Sequence, residues 1–326
     1  MKSRRASVAA LFAGAPSSVL SGEALARELG ISRAAVAKHV AHLRSLGYQI
    51  ESMPGAGYRL LAAPDACIPE EVWPRLTDPL WVECAGGLTT GSTNDDAKRL
   101  ARAGAVEGTL VMAGHQAGGR GRFGRAWESP EGGVYASAVL RPVLAPTELG
   151  PISLVIAVGA ARGLAALGCT VGLKWPNDVL LDGRKLAGIL VETAAEADRV
   201  EWVVAGVGLN VAQAPNEGAA CVRDTAPGAA VADVAASVLD GIAGAYRAFG
   251  AEGFACLRAE YLQLDVLRGH DVVVHDALGR RVAVGVVQGI AEGGGLVLSD
   301  GAGHVTVAAG EVTLAAGGVT RNDNVD

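Results

Sequence analysis

The spacing of apolar residues changes twice along the chain, and each spacing is typical of a different kind of fold. The first part combines helical spacing with a hairpin pattern, the middle part alternates strand-like and helical runs, and the last part carries strand patterns alone. A chain of 326 residues also exceeds the usual size of one domain. The sequence therefore predicts an α+β protein built from three folded parts.

The first part, residues 1–64, has the pattern of a winged helix-turn-helix. Helical spacing over Ala24–Leu29 and Arg33–Leu46 is interrupted by Gly30-Ile31-Ser32, which supplies a helix stop and then an N-cap serine. Strand-like runs at Tyr48–Ser52 and Tyr58–Leu61 flank a Pro-Gly-Ala-Gly turn and predict the wing. Residues 65–79, with several prolines, are expected to be a linker.

Residues 80–265 are predicted to form a central mixed-sheet domain, because strand-like and helical runs alternate there. The expected strands include Thr109–Ala113, Val134–Leu140, Val179–Leu181, Ile189–Glu192 and Trp202–Val211, and the expected helices are Asn94–Ala103, Ile152–Leu167 and Ala232–Phe249. Residues 266–316 carry closely spaced strand patterns divided by glycine turns, which favours a small β-barrel. Residues 317–326 are expected to be a flexible tail.

Charge is distributed unevenly between the head, residues 1–64, and the rest of the chain. The head holds eight Lys and Arg against three Asp and Glu, a net of +5; because the whole chain carries −6, the remainder carries −11. Only the head therefore has the charge sign of a protein that binds a phosphate backbone. The candidate DNA contacts on its second helix are Ser32, Arg33, Lys38 and Arg44, while His39 and His42 could contact DNA or face solvent.

Cysteine, histidine and hydropathy patterns each exclude a class of protein. The five cysteines are scattered with no Cys-x-x-Cys pair, which favours a reduced, cytoplasmic setting over a disulfide framework. The six histidines show no ligand spacing, so a metal centre held by the protein is not expected. No segment is expected to be apolar over the roughly 20 residues that span a bilayer.

The segment His115–Trp127 alternates small residues with Arg120, Arg122 and Arg125. Glycines let the backbone approach an anion closely, while the guanidinium groups are permanently charged donors suited to phosphate and carboxylate. It is not a Walker loop, since it lacks the Gly-Lys-Ser/Thr end. By itself, a basic glycine-rich surface turn or an RNA-binding Arg-Gly segment would have the same composition.

Two further motifs carry polar residues at the ends of predicted elements. Leu173–Val179 places Asn177 and Asp178 after a proline, and Lys185 begins the apolar strand that follows. Gly91–Asn94 resembles a helix N-cap, although its hydroxyl and amide groups could equally bind a small polar ring. Taken singly, a turn, a strand-edge lysine and a cap are usually structural.

In order, spacing and identity, these motifs together resemble the family of bifunctional biotin ligases and biotin-operon repressors. The resemblance includes the head with its wing, the Gly-Ser-Thr-Asn element, the Gly-Arg-Gly-Arg-Phe-Gly-Arg loop, the Lys-Trp-Pro-Asn-Asp turn, the Arg-Lys-Leu-Ala-Gly-Ile strand and Gly206–Asn210. It covers nearly the whole chain. It implies a biotin/lipoate-ligase-like catalytic domain in the middle and an SH3-like β-barrel at the end.

The resemblance also implies roles for individual residues. Biotin would be bound by Ser92, Thr93, Asn94, Gln116, Arg120, Gly121, Arg122 and Lys185. The nucleotide would be bound by Arg122, Arg125, Trp127, Asn177, Asp178, Lys185 and Asn210. Lys185 and Arg122 would be catalytic, with Lys185 contacting both the carboxylate of biotin and the α-phosphate of ATP.

The function implied is an ATP- and Mg²⁺-dependent biotin ligase. It would form biotinyl-5′-AMP and transfer biotin to a lysine of the biotin carboxyl-carrier protein of acetyl-CoA carboxylase. The head would bind operator DNA as a repressor, with two copies of the chain dimerising when the adenylate is bound. The alternatives are a non-catalytic biotin-sensing repressor and a lipoate or octanoate transferase of the same fold.

Overall fold

A computed structural model of the chain describes residues 7–15, 17–301 and 303–315. The predicted tail, residues 317–326, lies outside this range. The helices are α1 (Val8–Ala13), α2 (Gly22–Leu29), α3 (Arg33–Ser45), α4 (Pro69–Val72), α5 (Thr93–Arg102), α6 (Ile152–Ala166), α7 (Val231–Glu252) and α8 (Ala255–Leu264). The strands are β1 (Val19–Leu20), β2 (Gln49–Met53), β3 (Gly57–Ala62), β4 (Glu83–Thr90), β5 (Thr109–Gln116), β6 (Gly133–Leu140), β7 (Gly172–Lys174), β8 (Asp178–Leu181), β9 (Arg184–Ala195), β10 (Val200–Asn210), β11 (Asp271–His275), β12 (Arg281–Ile290), β13 (Leu296–Ser299), β14 (His304–Val307) and β15 (Glu311–Leu314).

The head is a winged helix-turn-helix, as predicted. Helix α2 ends at Gly30, whose φ of 64° is left-handed and suits a residue without a Cβ atom. Helix α3 begins after Ser32, whose Oγ accepts a hydrogen bond from the Ala35 amide at 3.1 Å. Strands β1, β3 and β2 form a three-stranded antiparallel sheet in that order, and the β2–β3 hairpin is the wing.

Residues 65–79, expected as a linker, are folded and packed. Ile68 is fully buried in the core of the head, while its neighbour Cys67 is fully buried in the core of the central domain. Helix α4 follows, with Val72 buried and Glu71 only 8% exposed. The segment therefore joins the two domains through buried contacts on both sides.

The central domain is a mixed seven-stranded sheet with helices on both faces. The strand order is β4-β5-β6-β10-β9-β8-β7; β4 and β5 are parallel and the other neighbours antiparallel. Helices α6 and α7 belong to the large core cluster, whereas α5 packs through Ala97 and Ala101 against Val111, Val139 and Trp202 in a separate cluster. The predicted mixed-sheet architecture is confirmed.

The last five strands form one antiparallel sheet in the order β14-β13-β12-β11-β15. Its inward side chains, such as Val272, Val274 and Leu298, belong to the same core cluster as α6, α7 and α8. The predicted small all-β part is therefore confirmed, and its core is continuous with that of the central domain.

One helical stretch in the described ranges, Pro146–Ala166, is long and apolar enough to cross a membrane. The expectation that no segment reaches this length was wrong. However, 72% of its most apolar window is buried inside the protein. Because α6 packs against α7 and the sheet, the stretch has the surroundings of a core helix.

Candidate functional site

A cavity of about 340 Å³ lies where the three sequence motifs meet. The start of α5, the end of β5 with the loop after it, strands β9 and β10, and the turn before β8 all contribute to its wall. The predicted residues that line it are Ser92, Thr93, Asn94, Gln116, Arg120, Gly121, Arg122, Arg125, Trp127, Asn177, Asp178 and Lys185. Segments far apart in the chain are thus brought to one site.

Glycines of two paired strands leave room for side chains at the floor of the cavity. Gly208 pairs with Gly188, and Gly206 lies two residues earlier, so that all three share one face of the sheet. A Cβ atom on Gly208 would lie 2.5 Å from the Trp127 indole nitrogen, and one on Gly206 would lie 2.0 Å from the Asn94 side-chain oxygen. Both side chains therefore occupy space that any larger residue would fill.

Hydrogen bonds fix the polar residues at the α5 end of the cavity. The Thr93 amide and hydroxyl both donate to Gln116 Oε1, at 2.8 and 3.1 Å. Gln116 Nε2 in turn donates to Ser129 Oγ at 3.0 Å. Ser137, fully buried on β6, contacts Thr93 Oγ1 at 2.8 Å and Asn94 Oδ1 at 2.6 Å. This wall is pre-organised for a small polar group.

Ser92 occupies the N-cap position of α5, but its side chain makes no capping hydrogen bond. It lines the cavity and is only 6% exposed. The structural interpretation of this motif as a simple cap therefore does not hold for Ser92. Its hydroxyl is not committed to the first turn of the helix.

Residues 119–127, which carry Arg120, Arg122 and Arg125 and are called the arginine loop below, fold back as a short hairpin over the cavity. The Gly121 amide donates to the Arg125 carbonyl at 2.8 Å, and the Trp127 amide donates to the Gly119 carbonyl at 2.9 Å. At its tip, Phe123 is 45% exposed and has a left-handed φ of 56°, an uncommon conformation for a bulky residue. Its ring lies 4.8 Å from the Arg122 guanidinium carbon.

The C-terminal sheet holds this loop and supplies part of the cavity wall. Arg122 Nη1 donates to the Gly310 carbonyl at 2.9 Å, and Arg125 pairs with Glu311. Glu311, Val312 and Thr313 of β15 also line the cavity. Burial lowers the pKa of Arg122 from its ordinary value. A guanidinium already removed from water interacts strongly with an incoming anion.

Lys185 places its ammonium between a carboxylate and an aromatic ring. Its Nζ lies 2.7 Å from Asp178 Oδ1 and 5.4 Å from the centre of the Trp127 ring. Its backbone is held by the segment after β10, because the Ala220 amide donates to the Lys185 carbonyl at 2.9 Å. The lysine is thus fixed at the edge of the cavity while its amine faces a single carboxylate partner.

The cavity wall carries more positive than negative charge. Five of its side chains are cationic, namely Arg120, Arg122, Arg125, Lys174 and Lys185, and two are carboxylates, namely Asp178 and Glu311. An excess of cations with polar groups at one end and an aromatic ring at the floor suits an anionic ligand of several phosphates with a neutral polar head. Among the residues that the structure describes, no group of three or more His, Cys, Asp or Glu could hold a metal ion.

Asn210 is predicted to bind the nucleotide, but it does not line the cavity. It is 2% exposed and its amide donates to the Ala220 carbonyl at 3.0 Å. This contact supports the segment that holds Lys185. A direct contact between Asn210 and a nucleotide stays a prediction.

Sequence reasoning assigned no role to several residues in or beside the site. Ser137 is the one polar residue in the buried strand β6, which was an available signal. Gly206 and Gly208 alternate within a strand, a pattern that marks a face without side chains. Glu192 and Glu311 gave no signal, because only the fold brings them near residues far away in the chain.

The predicted DNA contacts have different environments in the head. Arg33 and Lys38 are exposed on α3, whereas Ser32 caps this helix. Arg44 donates to the Ile50 carbonyl at 2.7 Å and to Ser52 Oγ at 2.8 Å, so it ties the helix to the wing. His42 lies 3.2 Å from Glu70 of α4. Arg33 and Lys38 therefore remain the residues of this set best placed to meet a phosphate.

Comparisons with known proteins agree with this geometry. Residues 87–210 match the model of the biotin/lipoate A/B protein ligase family, and residues 4–59 match a helix-turn-helix domain model. The bifunctional ligase/repressor BirA of Bacillus subtilis is 40% identical over 210 residues, which span 64% of this chain and 65% of that protein, slightly less than two thirds. The Escherichia coli protein of the same name is 32% identical over 292 residues, which span 85% of this chain and 87% of that protein.

A solved structure supports the same relationship. The biotin protein ligase of Aquifex aeolicus in complex with biotin and ATP superposes with a TM-score of 0.62 at 26% identity, covering 72% of this chain and 99% of that one. The sequence match to the Escherichia coli protein covers most of both chains. The chain therefore belongs to the biotin protein ligase family.

Proposed function

We propose that this protein activates biotin with ATP and transfers it to a lysine of a biotin carboxyl-carrier protein. The observation that carries the proposal is the single cavity in which the polar wall of α5, the arginine loop and Lys185 converge. The solved relative from Aquifex aeolicus is described in complex with biotin and ATP. That pair of ligands has the chemistry that this cavity suits.

In the first step, a carboxylate oxygen of biotin attacks the α-phosphorus of ATP, and pyrophosphate leaves. The product is biotinyl-5′-AMP, a mixed anhydride. Ser92, Thr93 and Gln116 would bind the polar ring of biotin, and Lys185 would hold its carboxylate against the α-phosphate. Rate enhancement would come from alignment of the two reactants and from cationic stabilisation of the charge on phosphorus.

In the second step, the neutral amine of the carrier lysine attacks the acyl carbon of the anhydride. The carbon–oxygen bond breaks, AMP leaves, and the amine loses a proton to solvent as the amide forms. The arginine loop would cover the anhydride between the two steps. Excluding water matters because the anhydride would otherwise be hydrolysed.

Magnesium would enter as part of the Mg–ATP substrate. The two carboxylates of the cavity, Asp178 and Glu311, are each paired with a cation of the protein. This donor set does not form a dedicated metal site, and Mg²⁺ commonly binds through substrate phosphates while keeping several waters. The residues of this chain would therefore orient the nucleotide, while the ion neutralises the leaving phosphates.

We further propose that the head represses transcription by binding operator DNA. Its net positive charge and the exposed Arg33 and Lys38 on α3 support this role. As the family resemblance implies, we expect two copies of the chain to dimerise when the adenylate is bound, an arrangement that would suit a two-fold operator. Action on a carrier protein of acetyl-CoA carboxylase and on DNA would place the protein in the cytoplasm.

The test is to mix the full chain with biotin, ATP, Mg²⁺ and a biotin carboxyl-carrier domain, and to measure the intact mass of the carrier. A mass gain of one biotin that requires both biotin and ATP is the expected result. Lys185→Ala should abolish adenylate formation while leaving the circular dichroism spectrum unchanged, because the cation between the carboxylate and the phosphate is lost. Arg99→Ala, which alters an exposed residue outside the cavity wall, is the matched control.

The alternatives give different results when lipoate, octanoate or operator DNA is added to the assay. Transfer of lipoate or octanoate in place of biotin would indicate a lipoate or octanoate transferase of the same fold. Biotin binding with a shift of operator DNA but no mass gain would indicate a non-catalytic sensor. Either result would overturn the proposed ligase activity.

A further inference from the structure

Charged side chains of alternating sign run from the α5 wall of the cavity to the arginine loop. Lys98 Nζ lies 2.6 Å from Glu192 Oε1 and 3.0 Å from Asp95 Oδ1. The same Asp95 oxygen accepts a hydrogen bond from Arg120, and at the other end Asn94 Nδ2 donates to Glu192 Oε2 at 2.9 Å. We call these residues, from Asn94 through Glu192, Lys98 and Asp95 to Arg120, the Lys98 chain.

The Lys98 chain joins three separate elements, and only its ends reach the cavity. Asn94 and Arg120 line the cavity, whereas Asp95, Lys98 and Glu192 do not. Lys98 and Asp95 belong to α5, Glu192 to β9, and Arg120 to the loop after β5. The three inner residues can therefore influence a ligand only through the two residues that they hold.

The charges of the inner residues support one another. Burial disfavours a charged Lys98, but its hydrogen bonds to Glu192 and Asp95 outweigh this and raise its pKa. Burial likewise opposes ionisation of Asp95, but hydrogen bonds from Arg120 and Lys98 lower its pKa. The Lys98 side chain is only 16% exposed, whereas those of Asp95 and Glu192 are 48% and 30% exposed, so removing the Lys98 charge would take from both carboxylates the largely buried cation that they share.

A second ion pair on the same helix provides a comparison. Arg99 pairs with Asp96 at 2.9 Å, three residues apart, but the Arg99 side chain is 70% exposed and does not line the cavity. Surface pairs of this kind contribute little to stability. The two neighbouring cations of α5 thus differ in two ways. Lys98 is largely buried and bridges two carboxylates, whereas Arg99 is exposed and pairs with one.

We propose that Lys98, Asp95 and Glu192 are positioning residues that fix Asn94 and Arg120 in one geometry. The polar wall for the biotin ring and the loop over the adenylate are thereby ordered together. This inference rests on the proposed function, since that function assigns the two ends of the Lys98 chain to biotin and to the adenylate.

The test compares Lys98→Met, Asp95→Asn and Glu192→Gln with the control Arg99→Met in the full chain. Three quantities are measured: the dissociation constant for biotin by calorimetry, the free biotinyl-adenylate released when no carrier is present, and amide hydrogen exchange of residues 119–127 without any ligand. Asp95→Asn and Glu192→Gln preserve side-chain size, so they keep the test informative if Lys98→Met folds poorly.

We expect Lys98→Met to weaken biotin binding and to speed loop exchange by about tenfold each, because the charge-assisted hydrogen bonds to Glu192 and Asp95, which hold Asn94 and Arg120, are lost. Asp95→Asn should speed loop exchange and adenylate release while biotin binding changes less than about twofold, since the Asn94 end is kept. Lys98→Arg, which keeps the charge, should restore both properties. The double variant Lys98→Met/Glu192→Gln should lose less free energy of biotin binding than the sum of the losses in the two single variants.

The outcomes separate this inference from the proposed function. If the wild-type protein fails to bind biotin, the proposed function is wrong. Loop exchange in the ligand-free variants would still decide whether the Lys98 chain holds Arg120. Unchanged loop exchange and biotin binding in a folded Lys98→Met variant would overturn the inference. Equal changes in Arg99→Met would overturn it as well, because they would show a general effect of charge loss on α5.

Discussion

Trp127 shows how the smallest residues of the site determine where the largest one lies. Its ring rests against Gly188 and Gly208, where added Cβ atoms would lie 3.0 and 2.5 Å from the indole. The indole nitrogen is buried without a hydrogen-bond partner among the described residues. A buried donor of this kind is costly unless a ligand or water satisfies it. This unpartnered donor supports the prediction that the ring meets a bound nucleotide.

Gly208→Ala should displace the Trp127 ring and weaken nucleotide binding. Overpacking of this kind costs about 1–3 kcal/mol, which corresponds to an increase of roughly 5- to 150-fold in the dissociation constant for ATP measured by calorimetry. The control is Gly87→Ala in β4, where a Cβ atom would meet nothing within 4 Å. Unchanged ATP binding by a folded Gly208→Ala variant would contradict this role of the glycine.

Cys67 should make stability depend on alkaline pH. Burial raises the pKa of its thiol from 9.0 to about 12. The unfolded thiol ionises at lower pH than the folded one, so the stabilisation is complete below pH 9 and is lost as pH rises from 9 to about 12. In urea unfolding, the free energy of unfolding of Cys67→Ala should fall less steeply with pH than that of the wild-type protein. The difference in slope should be about 1.4 kcal/mol per pH unit within this window.

The control for Cys67→Ala is Val72→Ala, a truncation at another fully buried position with no titratable group. It should lower the unfolding free energy equally at all pH values. Identical slopes for Cys67→Ala and the wild-type chain would show that the thiol does not titrate in this range.

At the scale of elements, helices α6 and α7 pack closely because glycines face each other. A Cβ atom on Gly241 of α7 would lie 2.3 Å from the Gly159 carbonyl oxygen of α6, and one on Gly163 would lie 2.4 Å from the Ser237 carbonyl oxygen. Gly244, one turn further along α7, has no atom within 4 Å of its Cβ position. Gly241 therefore has no room for a side chain, whereas Gly244 has room for one.

Alanine at these two positions should change stability in opposite directions. Gly241→Ala should lower the free energy of unfolding by about 1–3 kcal/mol, since backbone must move. Gly244→Ala should raise it by about 0.5–1 kcal/mol, because alanine restricts the unfolded chain and favours helix. Urea denaturation of both variants checks this, and destabilisation by Gly244→Ala would contradict the open space seen there.

At the scale of the whole molecule, the head is joined to the central domain by polar as well as apolar contacts. Tyr48 of the head donates to buried Glu71, which also pairs with Arg75, and Arg75 pairs with Asp233 of α7. Asp65 pairs with Arg223 and accepts a hydrogen bond from the Val231 amide at 2.7 Å. Because α7 has no side-chain cap of its own, Asp65 serves its N-terminus from the connecting segment.

Asp65→Ala should loosen this junction. The Val231 amide would lose its acceptor and Arg223 its partner, at a cost of about 1–2 kcal/mol. We expect a protease to cleave faster within residues 62–68, which gel electrophoresis of the fragments would measure. The variant should retain activity in the ligase assay. Glu196→Ala, which breaks an exposed ion pair with Arg199 away from the junction, is the control. Equal proteolysis of both variants would show that Asp65 does not fasten the head.

The sequence by itself determined the elements and the motifs of this protein. The turn at Gly30-Ile31-Ser32, the arginine loop and the Lys-Trp-Pro-Asn-Asp turn depend on residues adjacent in the chain, so local conformational preferences define them. Only the tertiary structure decided that Cys67, Ile68 and Val72 of the expected linker are buried, and that Glu192 meets Lys98 while Glu311 meets the arginine loop. Arg125 and Glu311 are 186 residues apart. No local pattern encodes a contact over such a distance, since it depends on how the sheets and helices pack around their shared core.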